Sequence, residues 1–126
     1  MEKEFVSYEI ALKLKELGFD EPCLTYYYEL TSNLRTHIGV DIGNAWTYSE
    51  NKKLGFTLAP LYQQAFRFFR EKYRLEGAIY RLNFKWASQV FNIETSTYCF
   101  KHELFEKYEE AEIHSLQKMI KIIEKE

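Results

Sequence analysis

From residue 78 to residue 86 the side chains alternate without interruption. Ala78, Tyr80, Leu82, Phe84 and Trp86 occupy one set of positions, Ile79, Arg81, Asn83 and Lys85 the other. Only extended chain repeats every two residues, so this run predicts a half-buried strand. A strand with one apolar face requires a sheet with one face covered. Short polar stretches follow at Ala87-Ser88 and Glu94-Thr95-Ser96. They predict turns between this strand and further strands at 89–93 and 97–101, joined as antiparallel hairpins.

Three helices are readable as the cover. The first is expected over 7–17, with Ile10, Leu14 and Leu17 on one face, Ser7 as N-cap, and Gly18 and Pro22 as stop signals. The second begins at Ala59-Pro60, where the missing proline amide costs nothing. It turns Tyr62, Ala65, Phe66, Phe69 and Tyr73 to one side and ends near Tyr73 or Arg74, with Gly77 soon after. The third runs from Tyr108 to Ile123 with a seam of Ile113, Leu116, Ile120 and Ile123. Its acids lie in the first turn and its lysines in the second half, as the helix dipole favours. Between the first two helices, 23–30 reads as strand, Thr31-Ser32-Asn33 as a turn, 35–40 as a second strand and 41–58 as loop with one short strand. The expectation is an α+β fold: three helices packed on a mainly antiparallel sheet of four to six strands, in a single domain spanning 1–126.

A chain of 126 residues, 46% apolar and 17% aromatic, can build such a core without disulfides or metals. It holds no apolar run near the roughly 18 residues of a membrane span. No secretory leader is visible at Met1-Glu2-Lys3-Glu4-Phe5, so a cytoplasmic location with reduced Cys23 and Cys99 is expected, without a membrane partner.

Little in the sequence carries covalent chemistry. Cys99 and His102 form a lone Cys-x-x-His, while Cys23, His37 and His114 lie in unrelated elements, so no four-ligand metal site is expected and no cofactor is implied. No nucleophile motif is present. Gly39 and Gly43 lack the Lys-Ser/Thr of a phosphate loop. His114, beside the apolar seam, reads as a satisfied boundary histidine. The expectation is a protein that is not an enzyme.

Charge distribution is more informative than the net value of −2. Residues 1–29 carry three basic and seven acidic groups, residues 59–85 six and two, residues 103–126 four and seven. The basic centre either pairs with the acidic ends or forms an anion-binding face. Within it, Arg67, Arg70 and Arg74 recur along one side of the expected helix, and Arg81 and Lys85 share the polar face of the expected strand. Aromatics are interleaved with these cations from Phe66 to Trp86, a pattern that can serve unpaired bases and phosphates or merely reflect rings turned into a core. The triplet Tyr26-Tyr27-Tyr28 sends rings to both faces of a strand, so at least one should reach solvent or an interface. Arg67, Arg70, Arg74, Arg81, Lys85, Tyr26, Tyr27 and Tyr28 are therefore the candidate binding residues.

Three stretches also carry a resemblance: 1–23, MEKEFVSYEIALKLKELGFDEPC; 59–73, APLYQQAFRFFREKY; and 108–123, YEEAEIHSLQKMIKII. Together they resemble a family of small uncharacterised proteins from phages and prophages of Bacteroidota, except that the family usually has a polar cap where this chain has Lys107. The resemblance implies a mobile-element gene acting inside a bacterial cell. It carries no catalytic residues. Small prophage proteins of this kind are often counter-defence factors, anti-CRISPR proteins among them. The expected function is a non-enzymatic inhibitor that binds a host protein or ribonucleoprotein complex, such as an RNA-guided nuclease or its guide RNA. The alternatives are a free-standing RNA-binding module and a homo-oligomeric structural phage protein, for which a homodimer would suffice.

Overall fold

The computed structural model describes residues 4–28, 34–36, 47–49 and 56–125. Among these residues there are three α-helices and seven strands, every strand pair antiparallel, as the α+β reading expects. The strands divide between two sheets, one of three strands and one of four, instead of joining in one. The chain correspondingly groups into two compact units, residues 1–65 and 66–126.

In the first unit, helix α1 (Tyr8–Glu16) starts where Ser7 accepts a bond from the Ile10 amide and stops where Gly18 takes a φ of 95°. Strands β1 (Thr25–Tyr28), β2 (Leu34–Thr36) and β3 (Phe56–Leu58) form a sheet in the order β2-β1-β3. Thr25 is buried and bonds twice to Ala59, its hydroxyl donating to the Ala59 carbonyl and its own carbonyl accepting from the Ala59 amide. Val6, Ile10, Leu14, Phe19, Phe56 and Leu58 make the core. The turn expected at 31–33, the strand residues 37–40 and most of the 41–55 loop lie outside the described residues.

Helix α2 (Tyr62–Phe68) continues as a π-helical turn, Phe69–Tyr73. The boundary between the units falls inside α2. The stop comes at Arg74, which adopts the left-handed conformation (φ 59°, ψ 37°) ordinarily given to glycine. Gly77, read as part of that stop, lies instead within strand β4 (Leu75–Leu82). A side chain there would run into the Phe66 ring and the Met119 methyl, so glycine is required for packing.

The alternating run 78–86 is not one strand. β4 ends at Leu82, the chain reverses through Asn83 and Phe84, and β5 (Lys85–Asn92) runs back along it in the register Leu82↔Lys85, Arg81↔Trp86, Ile79↔Ser88 and Gly77↔Val90. Ala87 and Ser88, expected to turn, are fully buried strand residues. The turn expected at 94–96 is present, with the Asn92 side chain accepting from the Glu94 and Thr95 amides. Strands β6 (Thr97–Tyr98) and β7 (Glu103–Phe105) then pair with successive stretches of β5.

Helix α3 (Tyr108–Glu124) packs on β4 and β5 through Ala111, Ser115, Leu116, Met119 and Ile120. This stripe is rotated from the expected seam, leaving Ile113 and Ile123 half-buried. Lys107 stands at its N-cap, and an ammonium group cannot accept a bond from an amide. Glu110 supplies the compensation, its carboxylate accepting the Lys107 amide at 3.0 Å. No helix among the described residues is long and apolar enough to cross a membrane.

Candidate functional site

Parity explains what the β4–β5 reversal exposes. Residues directly opposite in an antiparallel pair share a face, and a two-residue loop shifts the alternation by one position. Trp86 therefore joins Arg81, Ile79 and Ser88 on the face covered by α3, while Tyr80, Leu82, Lys85 and Ala87 share the other. The expected grouping of Tyr80 with Trp86 and of Arg81 with Lys85 is reversed.

Both loop residues have positive φ, 52° at Asn83 and 64° at Phe84, as a type I′ reversal demands. Asparagine tolerates this conformation. Phenylalanine does not do so readily, at a cost of roughly 1–2 kcal/mol. Phe84 receives no packing in return, being 93% exposed. Beside it, the Arg81 guanidinium lies 4.9 Å from the centre of the Trp86 ring, and that ring meets Tyr108 edge to face at 4.9 Å. Tyr108 is itself exposed. Lys85 pairs with Glu106 at 3.3 Å. Burial, then the nearby Glu112, raises the Tyr108 phenol pKa. Burial, then Glu109, raises that of Glu112. This end of the second unit is thus a projecting ring on a base of aromatic and charged groups of both signs.

The other predicted cations lie elsewhere. Arg67 pairs with Glu71 and Arg70 with Glu76, each at 3.6 Å, carboxylates of the same central segment. Arg74 caps the helix through its backbone amide. Seven residues of extended strand at roughly 3.3 Å each put Arg74 and Arg81 about 23 Å apart. The five cations therefore do not form one patch: three stand at the start of β4 and two at its far end. Tyr26 and Tyr27 lie in the first unit and are half-buried. The Tyr27 hydroxyl donates to the Val6 carbonyl at 2.8 Å while its ring meets Tyr8, and Tyr26 packs on Phe56. Much of their surface is committed to internal contacts. The Tyr28 side chain lies outside the described residues.

A second constellation joins β5, β7 and α3. The Ser88 hydroxyl lies 2.9 Å from His114 Nδ1 and 2.7 Å from the Ser115 hydroxyl, and His114 Nε2 lies 3.1 Å from a Glu103 carboxylate oxygen. Serine, histidine and carboxylate in sequence are the parts of a nucleophile relay. Here Ser88 has no exposed surface, so a substrate carbonyl cannot reach it. Burial pushes the His114 pKa below its ordinary value, with Lys118 and Lys121 acting the same way and Glu103 opposing. The neutral ring then donates from Nε2 to Glu103 and accepts from Ser88, so every polar group in this buried set has a partner. Nothing in the spacing of Ser88, Glu103 and His114 along the chain signals the arrangement.

Burial, with Glu21 and Asp20, pushes the Cys23 thiol up to about 12, while Cys99 is exposed. Among the described residues, no three histidine, cysteine or acidic side chains stand together as a metal site would require. Compared with known proteins, the chain matches no family model, no curated protein and no solved structure.

Proposed function

We propose that this chain is a non-enzymatic phage or prophage accessory protein that binds and inhibits a host defence complex, an RNA-guided nuclease being the first to test. It makes contact through protein surface rather than guide RNA. The observation that carries this reading is the hairpin end of the second unit, where Phe84, Tyr108 and Arg81 are exposed and the Arg81 guanidinium lies over the half-buried Trp86 ring. Aromatic rings and arginine are the residues that dominate protein interfaces. Local pairing of Arg67, Arg70 and Lys85 with Glu71, Glu76 and Glu106 weakens the case for a phosphate-binding face. The phage setting and the host target rest on the resemblance of residues 1–23, 59–73 and 108–123.

The test is capture from a Bacteroidota host lysate on the immobilised chain, with and without RNase. Two variants are compared: Arg81→Glu with Lys85→Glu, and the triple reversal of Arg67, Arg70 and Arg74 to Glu. The expected result is RNase-resistant capture of a specific protein that the first variant loses and the second keeps. Capture abolished by RNase, or lost only in the triple variant, would transfer the function to RNA binding or to the helix cations.

A further inference from the structure

Phe84 is an expensive residue for its position. Glycine is the residue this turn position prefers, and an exposed aromatic adds nothing to the folded unit. Strained conformations persist where the strain belongs to a mechanism. We infer that Phe84 is a preformed anchor that inserts into an apolar pocket on a protein partner. The inference rests on the binding role proposed above and names its central contact.

The geometry favours insertion in three ways. A two-residue loop closed by the Leu82↔Lys85 pair fixes the backbone beneath the ring, so little freedom is lost on binding. The ring sits on the hairpin turn and is 93% exposed, so nearly all of its surface is open to a pocket. Its neighbours Arg81 and Tyr108 offer hydrogen-bond donors for a polar rim around such a pocket.

Charge identifies the class of occupant. Arg81, Lys85 and Lys107 share this end with Glu106, Glu109, Glu110 and Glu112, an excess of one negative charge, and Lys85 is already paired with Glu106. A nucleic acid stacking on Phe84, or a membrane receiving it, would bring phosphates against that excess. A protein pocket with a mixed rim meets no such penalty.

The experiment compares Phe84→Gly and Phe84→Ala with the wild type. The protein retained by the wild-type chain from RNase-treated lysate is identified and purified, and its affinity for each variant is measured. Thermal melts are recorded in parallel. Both variants should bind about 30-fold more weakly or worse, the loss typical of a hot-spot residue. Phe84→Gly should also melt higher than the wild type, because the strain is gone, so its binding defect is not a folding defect. Wild-type affinity in Phe84→Gly would overturn the anchor while leaving the binding role intact. Failure of the wild type to retain any protein would overturn both. Binding of a 20-nucleotide RNA or of phosphatidylglycerol vesicles that disappears with the ring would overturn the assignment to a protein pocket.

Discussion

At the scale of single residues, the left-handed positions separate structure from purpose. Arg74, Asn83, Phe84 and Ser96 all have positive φ. At Arg74 the conformation ends a helix, its amide bonding back to the Phe69 carbonyl. Glycine would serve that end better. Arg74→Gly should stabilise the chain by about 0.5–1 kcal/mol, part of the gain being offset by a freer unfolded chain. The midpoint of urea unfolding checks this, and a lower midpoint would show that the arginine side chain contributes more than its backbone costs. Gly77 illustrates the converse, a residue whose missing side chain leaves room that Phe66 and Met119 fill. Its sequence setting, three residues past a helix end, suggested a cap and concealed the packing reason.

Among the elements, what was legible followed from strong local signals. Ser7, Gly18 and Pro22 bracket α1 closely, and the dipole-ordered charges of α3 place it to within a residue at its start and end. The β4–β5 hairpin was hidden because Asn83-Phe84 lacks the glycine that marks such turns, and because apolar alternation runs straight through it. Ala87-Ser88 looks like a turn by composition. Ser88 is small because α3 approaches closely there, bringing the Ser115 hydroxyl against that of Ser88. The π-helical turn gave no warning either. It changes the residue spacing after Phe68 and leaves Arg74 beyond the helix as its left-handed cap.

The polar set linking β5, β7 and α3 makes stability depend on pH in a defined direction. His114 in the folded chain holds its proton less well than the ordinary 6.5 of an exposed histidine. Above that value both states are neutral and its contribution is complete. As pH falls below it, the unfolded chain takes up the proton first and stability declines, until the folded ring also titrates. Urea midpoints between pH 7.5 and 5 should fall for the wild type, with a shallower fall for His114→Asn. Equal slopes would mean that His114 is not the responsible group.

For the molecule as a whole, segment charge proved a poor guide to surface charge. The basic excess of residues 59–85 is real, but Glu71 and Glu76 within the segment and Glu106 outside it neutralise three of its cations locally. The rest are divided between the two ends of β4. A single-stranded 20-mer RNA should therefore bind no tighter than roughly 10 µM near 0.15 M salt. Fluorescence anisotropy across a salt series would reveal the opposite as tight binding with a steep salt slope. Among the described residues the strands before α2 pair among themselves, and those after it do likewise, so the strands expected in one sheet are divided between two.

The two-residue reversal between β4 and β5 carries an evolutionary corollary. Its length is coupled to side-chain parity on both strands, so inserting or deleting one residue would swap which groups meet α3 and swing the tip aside. Homologous genes that preserve this architecture and its anchor should therefore hold the loop to two residues and keep an aromatic ring at its second position.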